Sequence, residues 1–147
     1  IFRTERSKFL MEQGIPLNTD STLKGQTIFL AERCAELIQD NIITDRTIID
    51  VMAFTLNAKS ISEYEKEKFE KYASDFIREY DYIFYISPYG IPVEDNGVRE
   101  TDEHYRDLID FTITTLIKRH GHKAGKIEKI SGSTEERIQQ ILNITSL

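Results

Sequence analysis

The stretch Ile42-Ile43-Thr44-Asp45-Arg46-Thr47 carries the side chains of this sequence best suited to chemistry. A short apolar run ends there in a carboxylate, a guanidinium and a hydroxyl. If the run is a strand of a parallel sheet, these groups emerge at its carboxyl end, where open α/β sheets bind ligands. A carboxylate in that position can hold Mg²⁺, directly or through water, or take the proton of an attacking hydroxyl. The adjacent Arg46 offers a planar fork of donors that matches phosphate oxygens. The structural alternative is that Asp45 N-caps the following helix, Asp being a favoured cap, and that Arg46 is solvated.

Other candidates are scattered along the chain. Arg99 sits in a loop among Asp95, Glu100 and Asp102. It could clamp phosphates as charge develops in a transition state, or form a surface ion pair with a nearby acid. Arg106 could point the same way, although a solvated helix face is the simpler reading. Gln26 lies on an amphipathic helical segment and reads equally well as a substrate contact or as ordinary surface. His120-Gly121-His122 supplies two metal-type ligands with no third in sequence, and a His at a helix end also suits the macrodipole. Cys34 has no evident His partner and reads as a small buried hydrophobe.

These residues need elements to position them. The first segment, Phe2 to about Gln13, reads as a charged helix stopped by Gly14, with Pro16 beyond. After the cap candidates Asn18-Thr19-Asp20-Ser21, the positions Leu23, Thr27, Leu30, Cys34, Leu37 and Ile38 form one face of a helix over 22–39. The Ile42–Asp45 run reads as a strand buried on both faces. Helical spacing resumes with Ile48, Ile49, Met52, Ala53 and Leu56. Ser62-Glu63-Tyr64-Glu65 is a capping box that opens a helix with Phe69, Tyr72, Ala73, Phe76, Ile77 and Tyr80 on its face. Tyr82–Ile86, dense in β-branched and aromatic residues, is a strand that stops at Ser87-Pro88. A loop follows to about Thr101, and a helix then carries Tyr105, Leu108, Ile109, Thr112, Leu116 and Ile117. Lys126–Ile130 alternates as a half-exposed strand would, and Ser133-Thr134-Glu135-Glu136 caps a last helix. Strands separated by helices require parallel crossovers, so the expected class is α/β, a three-layer sandwich around a parallel sheet.

Composition bounds the rest. The chain has 147 residues and a formal net charge of -6, from 19 Lys and Arg against 25 Asp and Glu. Seven Tyr and eight Phe with 39% apolar residues argue against disorder. One cysteine excludes an intramolecular disulfide framework. No apolar run approaches the roughly 20 residues that span a bilayer, and no signal peptide opens the sequence. The acidic balance gives no strong nucleic-acid signal. The expectation is one cytoplasmic domain over residues 1–147. Because it opens at Ile1 inside a charged segment, part of the fold is expected to lie upstream.

Asp45-Arg46-Thr47 after an apolar strand resembles the Asp/Glu-Arg-Ser type motif of the P-loop nucleoside and nucleotide kinases. The likeness is strongest to their AAA-type ATPase and ribosylnicotinamide-kinase-like branch. Other motifs follow in matching order along nearly the whole chain. Tyr80–Pro88 resembles the fourth strand running into the lid, and Asp95-Asn96-Gly97-Val98-Arg99 the lid segment whose Arg reaches the transferring phosphates. Ile130-Ser131-Gly132-Ser133 with Glu136-Arg137-Ile138 resembles the last strand and the loop beside the nucleotide base. The resemblance implies ATP and Mg²⁺ as cofactors, with a nucleotide and a small-molecule acceptor as partners. It further implies Asp45, Arg46 and Arg99 as catalytic residues, Asp45 as organiser of the metal, and Gln26 and Arg6 as acceptor contacts. Gly132 and Ser133 would lie at the nucleotide, and a lid-like segment would span about 88–106. The phosphate loop Gly-x-x-x-x-Gly-Lys-Ser/Thr is absent. Gly125-Lys126 is followed by Ile127, and His120 stands where the first Gly belongs. The reading therefore expects the first strand and its loop outside this chain. Its rival is a non-catalytic nucleotide-binding or regulatory ATPase-like module.

Overall fold

The computed structural model of the protein describes residues 2–3, 7–89 and 102–146. It is an α/β structure, mostly helical, with parallel strand pairs. A short strand β1 (Phe2–Arg3) stands where the sequence reads as helix. Helix α1 (Ser7–Glu12) follows and ends at Gly14, whose φ is +85°. The Gly14 N–H bonds the Met11 carbonyl at 2.9 Å and the Ile15 N–H bonds that of Leu10 at 3.2 Å. This is a Schellman stop, and it uses the freedom of glycine at the left-handed position.

Helix α2 (Leu23–Glu36) is capped by Thr22, whose Oγ1 accepts from the Gly25 N–H at 3.0 Å. Its buried face is Gln26, Phe29, Leu30, Arg33 and Glu36, whereas Ile38 just beyond its end is 84% exposed. Of the stripe expected from the sequence, Leu30 lies in the core and Leu23, Cys34 and Leu37 pack against it, while three polar residues share the interior face and Thr27 and Ile38 are exposed. Strand β2 (Ile43–Thr44) pairs parallel with β1 in the register Phe2↔Ile43 and Arg3↔Thr44. It is not buried on both faces: Ile43 is 64% exposed. A two-residue pairing leaves the flanks of the run to solvent.

Helix α3 (Ile48–Leu56) is the hub of the core and packs against α2, α4 (Glu63–Ser74) and α5 (Glu103–His120). Its Ile48, Ile49, Met52 and Ala53 are shielded from solvent. Ser62 caps α4, as the capping-box pattern predicts, with Oγ accepting from the Glu65 N–H at 3.2 Å. Phe69, Ala73, Ile77 and Tyr80 then line the core, while Tyr72 stays exposed, edge-on to Phe76. The last turn of that segment is 3-10 helix, Asp75–Glu79.

Strand β3 (Tyr82–Ile86) pairs parallel with β4 (Lys126–Ile130) in unbroken register from Tyr82↔Lys126 to Ile86↔Ile130. Helix α5 forms the crossover between them, the βαβ connection that parallel pairing demands. Gly125, at the entry to β4, lies so close to the Asp81 carbonyl that a Cβ would collide with it. Helix α6 (Thr134–Thr145), capped by Ser133, closes the chain and buries no residue fully. The two strand pairs form separate two-stranded sheets among the described residues, not the single sheet expected. No helix there is long and apolar enough to cross a membrane.

Candidate functional site

Strand β2 delivers Asp45 and Arg46 at its carboxyl end, as the sequence predicts. The Asp45 side chain is exposed, and Arg46 is half-buried with φ +74°. A left-handed conformation is uncommon for a residue with a long side chain and costs about 1–3 kcal/mol, so it persists only where its surroundings enforce it. Three contacts enforce it here. Thr44 Oγ1 donates to the Arg46 carbonyl at 2.9 Å, and Arg33 Nη1 donates to the Asp45 carbonyl at 3.0 Å. The Arg46 guanidinium lies over the Phe54 ring, 5.6 Å from its centroid, a cation–π contact. Beyond the turn, Thr47 caps α3: its Oγ1 accepts from the Ile49 N–H at 3.1 Å, and Asp50 Oδ2 accepts from the Thr47 N–H at 2.8 Å. Asp45 is therefore not the helix cap, since that place is filled by the Thr47–Asp50 capping box. Its carboxylate remains available to a ligand.

Beneath the turn lies a buried polar hub. Arg33 Nη1 also bonds Glu36 Oε2 at 3.0 Å, with 3% and 11% of the two side chains exposed. The Tyr80 hydroxyl accepts from the Ile48 N–H at 3.1 Å. Burial pushes the Tyr80 phenol up strongly, against the lowering effects of that bond and of Arg33, so it remains protonated. Phe54 reaches α5 through Tyr105, with ring centroids 6.5 Å apart. Thus the Arg46–Phe54–Tyr105 contacts tie the end of β2 to the first turn of α5. Farther along α5, buried Asp110 accepts a 2.5 Å hydrogen bond from Tyr85 of β3. Burial, reinforced by this bond and by the Asp110 charge, pushes the Tyr85 phenol up to about 12.

The other expected site residues divide. Gln26 is neither surface nor rim: it is 3% exposed on the interior face of α2, two turns before Arg33. Gly132 (φ +97°) and Ser133 form the loop after β4, both exposed, and Ser133 Oγ accepts from the Glu136 N–H at 3.1 Å. A Cβ at Gly132 would run into the Glu136 carboxylate. Arg6 and Arg99 lie outside the described residues, as do Asp95-Asn96-Gly97 and the centre of the expected lid. At the near edge of that segment, Asp102 caps α5 by accepting from the His104 N–H at 2.9 Å. Cys34 is half-buried, and burial raises its thiol pKa, which suits an inert packing residue.

Sequence reasoning missed Arg33, Glu36 and Phe54. A signal for the first was present: Arg33 falls three residues after Leu30 and four before Leu37, a charge on an otherwise apolar stripe. Such a charge is paired when buried.

His120 belongs to a different cluster. Its Nε2 lies 2.7 Å from Glu70 Oε2, and because a carboxylate only accepts, that nitrogen donates. Arg119 Nη1 donates to both Glu70 oxygens at 2.8 and 2.7 Å, and Lys123 Nζ bonds Ser74 Oγ at 3.0 Å. Together they fasten the end of α5 to α4. No group of three or more His, Cys, Asp or Glu among the described residues could hold a metal ion. Burial alone would raise the Glu70 carboxyl, but the hydrogen bonds and charges of Arg119 and His120 outweigh it and hold it below the ordinary Glu value. A carboxylate of lowered pKa stabilises the fold above its unfolded pKa, about 4.3, and loses that contribution as pH falls through the folded value. Glu70→Gln is therefore expected to lower the urea midpoint at neutral pH and to flatten its decline on acidification below about pH 4.3. Parallel pH profiles for the two proteins would count against this linkage.

Comparison of the chain with known protein families, curated proteins and solved structures gives no match.

Proposed function

We propose that this chain contributes the acceptor and lid side of an ATP-dependent phosphotransferase of the P-loop kinase type. Its acceptor is a nucleoside, a nucleotide or a related small hydroxyl compound. The observation that carries the reading is the Asp45–Arg46 turn. An exposed carboxylate and a stacked guanidinium stand side by side at the carboxyl end of a parallel strand, in a backbone conformation that its neighbours enforce. Strained, over-determined backbone of this kind clusters at functional sites.

The strand pairs add support. β1–β2 and β3–β4 are each parallel yet separate. On this reading a further parallel strand stands between them and carries the phosphate loop, which is not among these 147 residues. The parallel sheet of a three-layer sandwich would then be complete.

The residues present suit Mg²⁺ held mainly by substrate. That ion keeps several waters and takes one or two carboxylates together with phosphate oxygens, so a lone Asp45 is sufficient from the protein side. ATP would supply the phosphoryl group, and Mg²⁺, when bound, would offset phosphate charge. Asp45 would take the proton of the acceptor hydroxyl, or its carboxylate would hold Mg²⁺, directly or through water. Arg46 holds phosphate oxygens, its guanidinium set over the Phe54 ring, and Arg99 acts as a second clamp. Gln26 reads the acceptor only if the acceptor reaches the interior face of α2; Arg6 is the other acceptor contact. Gly132 and Ser133 flank the nucleotide base.

Calorimetric titration of MgATP into the protein expressed from its complete reading frame tests the proposal. Saturable binding is expected with a dissociation constant between about 1 µM and 1 mM, the usual span of enzyme substrate constants. No binding heat overturns the reading. Binding without transfer to any member of a nucleoside and nucleotide panel favours the non-catalytic module instead.

A further inference from the structure

Charged residues on an interior helix face require an explanation beyond stability, because a buried ion pair is often no better than well-packed hydrophobic residues. Arg33 and Glu36 are such a pair, and Glu36 alone would satisfy the charge of Arg33. Arg33 makes one more bond, from Nη1 to the Asp45 carbonyl at 3.0 Å. That carbonyl belongs to the peptide joining Asp45 to Arg46. The orientation of this peptide plane is shared between ψ of Asp45 and φ of Arg46, and the latter is +74°. Turning the carbonyl toward α2 thus commits Arg46 to the left-handed region, which a long L side chain avoids.

We infer that Arg33, held in place by Glu36, is the positioning residue that sets the left-handed Asp45–Arg46 turn. Arg33 reaches across from α2, 12 residues earlier in the chain. Its guanidinium is a rigid fork, so bonds to Glu36 and to the carbonyl fix each other's direction. With the carbonyl drawn inward, the Asp45 side chain faces solvent and the Arg46 side chain lies over Phe54. The consequence for turnover rests on the phosphotransfer reading; the conformational role does not.

NMR of the protein separates the two. A positive φ at Arg46 gives a short intraresidue amide-to-Hα distance and a strong cross-peak. Stacking on Phe54 shifts the Arg46 side-chain protons upfield. In Arg33→Met both signals are expected to collapse toward ordinary values, and Arg33→Lys, which keeps a donor, is expected to restore them in part. If Arg33→Met does not fold, Glu36→Gln, which loosens Arg33 while preserving shape, is expected to weaken the same two signals. Where MgATP-dependent transfer is measurable, kcat in these variants is expected to fall about a hundredfold, the effect of a small misplacement of reacting groups, with KM for ATP little changed. Unaltered Arg46 signals in a folded variant at Arg33 or Glu36 overturn the inference. Loss of the signals, together with no transfer by the wild-type protein expressed from its complete reading frame, supports the positioning role and sinks the phosphotransfer reading instead.

Discussion

Asp45→Asn is expected to lower phosphoryl transfer by about two to four orders of magnitude, the usual contribution of a positioned acid or base, while leaving the unfolding midpoint unchanged. The two halves of the prediction follow from different observations. The Asp45 side chain is exposed, and the helix cap beside it is made by Thr47 with Asp50, so folding does not draw on the carboxylate. Surface substitutions away from caps and buried partners change stability by no more than about 0.5 kcal/mol. Asn keeps the size of Asp, and the backbone carbonyl that Arg33 holds is the same in both residues. What Asn lacks is the charge to organise a metal ion and the basicity to take a hydroxyl proton. Single-turnover assays with saturating MgATP, beside urea unfolding of both proteins, decide the matter. Full turnover in Asp45→Asn rejects the assigned role. A fall in turnover matched by a fall in stability means that the carboxylate serves the fold.

Legibility in the sequence varied with how local each cause is. The Schellman stop at Gly14, the caps at Ser62 and Ser133 and the strand Tyr82–Ile86 were readable because each is set by residues within one turn of one another. Strand β1 was not, since two residues are extended only through their pairing with Ile43 and Thr44, some forty positions on. Helix α2 was recognised with Leu23, Leu30, Cys34 and Leu37 toward the core, but an apolar stripe does not reveal that Gln26 and Glu36 also point inward. At the candidate site, the position of Asp45 and Arg46 after a strand was legible from residue types alone. The left-handed φ at Arg46 was not, because it depends on a donor from α2 and a ring from α3. Asp45 as N-cap was the structural alternative, and that place is filled by Thr47, whose hydroxyl and whose partner Asp50 make a complete capping box.

Glu36→Ala is expected to destabilise the protein by about 3–5 kcal/mol, the cost of leaving a buried charge without its partner. Total stability for a domain of this size is about 5–15 kcal/mol, so the loss would populate unfolded chains under mild conditions. Removing both charges should do less harm. In Arg33→Met/Glu36→Ala the uncompensated guanidinium is gone, and the Asp45 carbonyl left without its donor costs about 1–3 kcal/mol. The double variant should therefore be more stable than Glu36→Ala, an ordering opposite to that of independent contacts, whose losses add. Urea midpoints for wild type, the two single variants and the double variant measure the coupling directly. Additive losses would mean that Arg33 and Glu36 contribute separately, and the buried pair would then be no unit. A strongly non-additive cycle would instead show stability and site geometry converging on one guanidinium. It is anchored by Glu36 on its own helix and draws the Asp45–Arg46 peptide toward that helix from across the core. The exposed carboxylate of Asp45 would then owe its orientation to a charge that solvent scarcely reaches.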